Sequence, residues 1–332
     1  MKMPIERSEG RQPDLMILPL ERQVFSGATM GTRYSAVFYA RGDAVRSGLN
    51  RDLQAAVDAV DAQMSTWKPD SALMRLNRAP TGIWCKMPEE LFTVLAAALE
   101  IGRLSEGAFD IGVGDLVAAW GFGSQAASSD QKWPDAKTTV ARRPAHLCLE
   151  LDHAQQRVRK LAAVTLDLSG IAKGFGVDEL ASVLMAHGVE HFLVSIDGEL
   201  RAAGGKPEGS PWRVAVEKPQ TGHRAVEGVI ELSEGAVATS GDYRHFVERD
   251  GIRYGHTMDP RHGAPLADGP AAVTVMAATC MGGDAWATAL LVLGPGTGAE
   301  LASRQGIEAL FIDRLPGTAP DAITSFQSSK EN

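Results

Sequence analysis

Residues 166–200, LDLSGIAKGFGVDELASVLMAHGVEHFLVSIDGEL, contain the clearest succession of secondary-structure elements in the chain. A β-type run at Val164–Leu168 leads through a turn of small residues into a predicted helix over Ala172–Ala186. The helix is expected to end before Gly188, and the apolar run His191–Ile196 predicts another strand. This unit mixes strands with a single helix, and the fold class depends on what surrounds it.

Helical spacing and short β-type runs occupy different parts of the chain. A strand is predicted at Arg33–Tyr39, and apolar residues three and four apart predict helices at Ala44–Met64 and Pro88–Ser105. The second half is predicted to contain mainly strands, together with a helix at Asp284–Leu293. The further predicted strands are 146–151, 156–158, 212–216, 226–232, 271–278 and 307–312. Strands and helices do not alternate regularly, which favours an α+β fold with mixed, largely antiparallel sheets, packed helices and two closely associated subdomains.

The length of 332 residues suits one large domain or two intimately packed ones. Residues 1–22 are polar and lack periodicity, so we predict a loose N-terminal arm, with order starting near Val24. Residues 23–320 are expected to form the folded domain, with a subdivision suggested near residue 145, and residues 321–332 a C-terminal tail. The segment Gly121–Arg143 is predicted to be rich in loops.

Composition excludes several classes of protein. With 44% hydrophobic and 22% charged residues, the chain is neither a disordered protein nor a coiled coil. A formal net charge of −8 argues against nucleic acid as a partner. Three cysteines without a CxxC pair imply neither a disulfide framework nor a cysteine metal site. We expect no transmembrane segment and, because the N-terminal stretch is charged throughout, no signal peptide, which would make the chain as written cytoplasmic.

The segment MGGDAWATA, residues 281–289, is the first candidate for chemistry. Asp284 and Thr288 lie four residues apart, so a helix places both oxygens on one face. A carboxylate and a hydroxyl are hard ligands that suit Mg²⁺, and Mn²⁺ is an alternative metal at such a site. The competing interpretation is that Asp284 only caps the helix N-terminus and Thr288 is packed.

Two further segments carry polar groups at predicted turns. In the turn before the Ala172 helix, free N–H groups and Lys173 would favour phosphate, Gly170 offers a carbonyl to a cation, and Asp167 offers an acceptor. In YGHTMDPRHG, residues 254–263, His256 could act as a general base. The alternatives are a tight strand-to-helix connection with a solvated lysine, and a structural histidine in a turn.

Three weaker segments complete the candidates. They are SGATMGT at 26–32, MSTWKPDS at 64–71 and GAFDIGVG at 107–114. Trp67 could stack on an aromatic ring, although a single tryptophan is more often part of the core. All three segments could simply be turns.

Together and in this order, these segments resemble the FAD:protein FMN transferases, the ApbE family. The resemblance runs from about Phe25 to Gly294 and rests on five separated motifs. It implies an ApbE-like fold and an enzyme that, with Mg²⁺, transfers FMN from FAD to a Thr or Ser hydroxyl of an acceptor flavoprotein through a phosphoester bond, releasing AMP.

The resemblance also implies a role for each matching residue. Gly170 would give a backbone carbonyl to Mg²⁺, and Asp284 and Thr288 would give side-chain ligands. His256 is our candidate base, and together with Asp284 it forms the predicted catalytic pair. The implied FAD-binding residues are Met30, Trp67, Ala108, Phe109, Asp110, Asp167, Lys173 and Met258.

The chain departs from the family pattern in two respects. Family members are often exported to the periplasm or lipid-anchored, whereas a signal peptide and a lipobox cysteine are not found in this sequence. In SIDGEL, residues 195–200, Asp197 stands where a second glycine is expected, and we assign it no chemistry. Two other functions compete with the transferase: an FAD pyrophosphatase that uses water to give FMN and AMP, and a flavin-binding protein without turnover.

Overall fold

A computed structural model describes residues 19–41, 46–123, 142–218, 226–242, 246–249, 252–266, 269–314 and 323–328. Some predictions fall outside these ranges. They concern residues 1–18 of the arm, 44–45 of the first helix, 124–141 of the loop-rich segment, 315–320 of the domain, and 321–322 and 329–332 of the tail.

The helices and strands are numbered in chain order. The helices are α1 (Arg46–Met64), α2 (Ala72–Arg78), α3 (Glu89–Leu104), α4 (Gly114–Ala119), α5 (Ala145–Cys148), α6 (Ala172–Ala186), α7 (Cys280–Leu293) and α8 (Pro295–Gln305). The strands are β1 (Glu21–Thr29), β2 (Thr32–Ala40), β3 (Cys85–Lys86), β4 (Leu149–Asp152), β5 (Arg157–Lys160), β6 (His191–Ile196), β7 (Glu199–Ala203), β8 (Trp212–Glu217), β9 (Val226–Leu232), β10 (Gly235–Gly241), β11 (Phe246–Arg249), β12 (Ile252–Gly255), β13 (Met258–Asp259), β14 (Ala264–Pro265), β15 (Ala272–Ala277), β16 (Glu308–Arg314) and β17 (Ile323–Ser328).

The main sheet contains eight strands in the order β1-β2-β6-β7-β10-β15-β16-β17. Every neighbouring pair is antiparallel. The predicted α+β class with largely antiparallel sheets is therefore confirmed. Strands from both sides of residue 145 share this sheet, and the suggested subdivision there stays a prediction.

The two faces of the main sheet are covered differently, because side chains alternate along each strand. Phe38 and Phe192 point to the face covered by α1 and α6. Tyr39 and Leu193, their neighbours in sequence, point to the opposite face and pack against Trp212 of the β8–β9 hairpin. A second core joins α2, α3 and the adjoining parts of α1, α6 and α7 beside the small sheet β3-β5-β4.

The predicted strand Val164–Leu168 is wrong. The Asn77 side chain donates to the carbonyl of Leu166 at 2.9 Å and accepts from its N–H at 2.8 Å. The flanking backbone bonds to the turn before α4: Gly114 N–H donates to Thr165, and Asp167 N–H donates to Ile111. An amide side chain and a helical turn therefore satisfy the groups that would have paired with a neighbouring strand.

The predicted strand at 146–151 is helical in its first half. α5 occupies Ala145–Cys148, and β4 begins only at Leu149. Pro144 stands at the N-terminal end of the turn, and Asp110 accepts a hydrogen bond from Ala145 N–H at 3.0 Å. A remote carboxylate thus caps a short helix that the local sequence does not predict.

The helix predicted at Asp284–Leu293 begins four residues earlier, at Cys280. The Thr279 hydroxyl accepts from Gly282 N–H at 3.3 Å. Asp178 of α6 accepts from the N–H groups of Cys280 and Met281 at 3.0 and 2.9 Å. Asp284 is therefore not the helix cap, and the capping interpretation of this residue is wrong.

Other predicted elements are present with shifted ends. α6, β6 and β9 have the predicted bounds. β1 begins at Glu21, before the expected start of order near Val24, because it pairs with β2 along its whole length. β17 lies in the segment predicted as a tail. In the part of the chain that the structure describes, α2, α4 and α8 were also not predicted. Among the helices described, none is both long and apolar enough to span a bilayer.

Candidate functional site

A cavity of about 820 Å³ lies between the main sheet and the helices. Its wall is formed by the β1–β2 and β6–β7 loops, the end of α1, the turn before α4, the segment leading into α6, the end of β10, the loop around β13, and α7. The twelve predicted site residues all line it: Met30, Trp67, Ala108, Phe109, Asp110, Asp167, Gly170, Lys173, His256, Met258, Asp284 and Thr288. The fold therefore brings together five motifs that are far apart in sequence.

Three predicted oxygen donors meet where α7 faces the start of α6. Asp284 and Thr288 are one turn apart on α7, and both line the cavity. A β-carbon on Gly170 would lie 3.1 Å from the Thr288 hydroxyl, so glycine leaves the space beside that oxygen open. The Asp284 carboxylate and the Thr288 hydroxyl are hard oxygen ligands, as a carbonyl of Gly170, the third predicted ligand, would be.

Asp284 is a buried carboxylate, with 3% of the residue exposed. It accepts a hydrogen bond from Gly174 N–H at 3.0 Å. Burial, and next to it the negative charge of Glu199, raise the pKa of Asp284 to about 7, although Lys173 opposes the shift. Burial and the nearby negative charge therefore disfavour the ionised form of this carboxyl, and a bound cation would stabilise it.

Lys173 lies among acidic residues. Its ammonium donates to Glu199 at 2.8 Å, and Asp197 is 3.5 Å away. Burial alone would lower the pKa of Lys173, but Glu199 and Asp284 raise it, so the lysine is charged. Glu199, which is only 2% exposed, was not among the predicted site residues. The only signal was its place next to the unusual Asp197-Gly198 pair.

Asp178 ties the two site helices together. Besides capping α7, it accepts from the Arg201 guanidinium at 2.7 Å. At the same crossing, a β-carbon on Gly174 would lie 2.7 Å from the carbonyl carbon of Cys280 and 2.8 Å from Asp284 Cβ. Glycine therefore allows the close approach that places Asp284 beside the α6 backbone.

The two other predicted aspartates are held by backbone donors. Asp110 accepts from Gly112 N–H at 2.8 Å and from Ala145 N–H through the same oxygen. Burial raises the pKa of Asp110 despite these bonds. Asp167 accepts from Ser169 N–H at 2.8 Å, which tightens the turn that leads to Gly170.

Met30 enters the cavity from a strained hairpin loop. Thr29 pairs with Thr32, so Met30 and Gly31 form a two-residue loop, with φ of +45° and +73°. Positive φ at both central positions is the type I′ geometry, for which Asn-Gly is the usual sequence. A methionine is unusual there, and its methyl group reaches Gly176 of α6, where a β-carbon would lie 2.8 Å from it.

Trp67 and the His256 loop both line the cavity. Trp67 is 67% exposed, so the alternative of a core tryptophan is wrong. In the loop after His256, Asp259 is buried and accepts from Arg261 at 2.9 Å and contacts His262 Nδ1 at 2.7 Å. Arg261 also donates to the Val292 carbonyl at the end of α7, which fixes the loop to that helix.

Ser240 of β10 is a cavity residue that the sequence did not reveal. Its hydroxyl lies 3.0 Å from the Thr288 hydroxyl. A Thr288 oxygen that ligated a metal would direct its proton away from the metal, and Ser240 is placed to accept it. Because 48 residues separate the two hydroxyls, only the fold could show the pair.

Comparisons with known proteins identify relatives of this chain. Residues 30–311 match the ApbE family. An FAD:protein FMN transferase of Vibrio cholerae is 38% identical over 299 residues, covering 89% of this chain and 88% of the relative. The FAD:protein FMN transferase of Escherichia coli K12 is 36% identical over 298 residues, covering 89% and 85%.

Solved structures show the same similarity. The flavin transferase ApbE from Vibrio cholerae superposes with a TM-score of 0.81 at 34% identity, covering 94% of this chain and 98% of the other. The apo form of the Pseudomonas stutzeri flavinyl transferase ApbE also gives 0.81, at 36% identity and 95% and 96% coverage. From the match over most of its length and from the shared fold, we conclude that this chain belongs to the ApbE family.

Proposed function

We propose that this protein is an FAD:protein FMN transferase that depends on Mg²⁺ and modifies a Thr or Ser hydroxyl of an acceptor flavoprotein, releasing AMP. The observation that carries the proposal is the cavity in which Asp284, Thr288 and Gly170 offer oxygen donors next to Lys173. Relatives that are 38% and 36% identical to this chain over the aligned residues bear the transferase name.

The charges of the cavity support a divalent cation. Asp284, Glu199 and Asp197 surround a single ammonium, that of Lys173, so the cluster carries two net negative charges when all its carboxyls are ionised. Within the described ranges, no three His, Cys, Asp or Glu side chains converge as a metal cage. A site with only a few protein ligands is typical of Mg²⁺, which keeps several waters and binds substrate phosphates. Mn²⁺ accepts the same oxygen ligands.

Each residue has a defined task in the proposed reaction. Bound Mg²⁺ would neutralise charge on the pyrophosphate of FAD. Lys173 would orient the pyrophosphate, and His256 would accept the proton of the acceptor hydroxyl. The hydroxyl oxygen bonds to the FMN-side phosphorus while the bond from that phosphorus to the bridging oxygen breaks, and AMP departs with that oxygen.

The flavin and adenine parts would lie along the remaining wall. Trp67 offers an exposed ring for stacking, and Met30, Ala108, Phe109 and Met258 offer apolar contacts. Asp110 and Asp167 would accept hydrogen bonds from hydroxyl or ring N–H groups, since backbone donors already fix their orientation.

The decisive experiment incubates the full chain with FAD and Mg²⁺, with and without a candidate acceptor flavoprotein. AMP release and the acceptor mass are followed, with a chelator control. AMP that appears only with acceptor, together with a mass gain of one FMN, supports the proposal. Asp284→Ala should abolish this turnover, whereas Asp52→Ala, which removes a carboxylate outside the cavity, should not. Full activity of Asp284→Ala would refute the metal role.

The pyrophosphatase differs only in the nucleophile, so the same assay separates it. AMP and free FMN without acceptor would favour it, and tight FAD binding without AMP in either tube would favour a binding protein. The exposed ring of Trp67 favours transfer, because a ring stacked over the flavin would limit the access of water. We expect Trp67→Ala to raise FAD hydrolysis without acceptor, and an unchanged rate would remove this argument.

A further inference from the structure

Asp197 has a backbone conformation that residues other than glycine rarely adopt, and it lies beside Lys173, the proposed phosphate-binding lysine. Ile196 pairs with Glu199, so Asp197 and Gly198 form the two-residue loop of the β6–β7 hairpin. φ is +58° at Asp197, and the φ of Gly198 lies outside the positive range. A positive φ at the first loop position alone is the type II′ arrangement, in which glycine is the usual residue.

The carboxylate of this strained residue faces Lys173. Asp197 Oδ2 lies 3.5 Å from the ammonium, and both residues line the cavity. Lys173 already has a closer and almost fully buried partner in Glu199, at 2.8 Å. Asp197 is therefore not needed to neutralise the lysine, and its charge adds to an acidic excess where an anionic substrate would bind.

We propose that Asp197 competes with the substrate phosphates for Lys173, so that it weakens the binding of FAD and AMP and speeds the release of AMP. The inference rests on the FAD site of the proposed function. With Glu199 held against the lysine by burial, Asp197, a third of whose side chain is exposed, is the carboxylate that an incoming phosphate would displace. A phosphate bound to Lys173 would lie close to the Asp197 carboxylate, and two negative charges a few ångströms apart in a partly buried cavity repel each other.

The test uses the full chain with Mg²⁺, FAD and AMP as probes, and measures affinity by calorimetry and AMP release by stopped flow. Asp197→Asn removes the charge and keeps the shape, and Asp197→Gly also removes the backbone strain. Both should bind FAD and AMP about three to ten times more tightly and release AMP correspondingly more slowly. A rise in thermal stability confined to Asp197→Gly would reflect the strain alone.

Asp61→Asn is the matched control, because Asp61 lines the same cavity but pairs with Lys68 at 2.5 Å rather than with Lys173. It should change both affinities less than twofold. The proposal is overturned if Asp197→Asn binds AMP no more tightly than the original protein, or if Asp61→Asn has the same effect. Lys173→Met distinguishes a failure of the Asp197 proposal from a failure of the proposed FAD site. If this variant binds FAD normally, the FAD site itself is misplaced, whatever the Asp197 variants do.

Discussion

Gly174 lies where α6 packs tightly against the start of α7, so adding a methyl group there tests whether this contact positions Asp284. In Gly174→Ala the new β-carbon would also contact the Cys280 carbonyl oxygen, in addition to the Cys280 carbon at 2.7 Å and Asp284 Cβ at 2.8 Å. Two of these neighbours are backbone atoms, which cannot rotate away. The helices must separate, and the Gly174 N–H bond to Asp284 must lengthen.

The expected cost follows from two opposing effects. Overpacking of this kind costs about 1–3 kcal/mol. Replacing glycine by alanine inside a helix contributes up to about 1 kcal/mol in the opposite direction. We therefore expect a net loss of about 1–2 kcal/mol in the free energy of unfolding. A displacement of Asp284 by even 1 Å could lower turnover by about 100-fold.

Gly48→Ala in α1 is the control, because, among the residues that the structure describes, no atom outside the adjacent backbone of α1 lies within 4 Å of the position that its β-carbon would take. This variant should be as stable as the original protein or slightly more stable. Chemical denaturation and the AMP-release assay are run on both variants. If Gly174→Ala were as stable and as active as Gly48→Ala, the close helix contact would not position Asp284 and the reasoning would be wrong.

Three further predictions concern the metal and flavin sites. Because the raised pKa of Asp284, about 7, means that protons compete with the metal, the rise in melting temperature on adding Mg²⁺ should be large at pH 8 and small at pH 5; a shift independent of pH would contradict this. Ser240→Ala should weaken Mg²⁺ binding about tenfold or more, with recovery in Ser240→Thr, as measured by metal titration; equal affinities would exclude Ser240 as the orienting partner of Thr288. Met30→Asn suits the type I′ loop better, so thermal stability should hold while FAD affinity falls at least about fivefold by fluorescence titration; unchanged affinity would place Met30 outside the FAD site.

Local patterns in the sequence were sufficient to predict several elements of the fold. α6 and β6 have the predicted bounds because helical spacing, a terminal glycine and an apolar run agree there. The errors occur where distant groups decide the structure. Asp178 adds a turn to the start of α7, Asp110 caps α5, and Asn77 replaces a strand partner for Leu166. No local pattern contains these contacts.

The same distinction holds for the site. The spacing of Asp284 and Thr288 was enough to predict that their side chains lie together. The other candidates came from the resemblance of the ordered motifs to the ApbE family, and all of them line the cavity. Glu199 and Ser240 were not found, because each acquires its significance from a partner 26 or 48 residues away. Asp197 was noticed only as a departure from the family pattern, and its positive φ explains why glycine would be expected there.

The side-chain clamp of Asn77 on Leu166 has a consequence for local motion. The cavity wall that carries Asp167 is held by an amide side chain from α2 and by the turn before α4, rather than by strands of the main sheet. Opening of this wall would therefore break these bonds and would leave the strand pairs of the main sheet intact. Hydrogen–deuterium exchange at the Leu166 amide should report that opening, and it should slow when FAD occupies the cavity while amides within the sheet keep their rates.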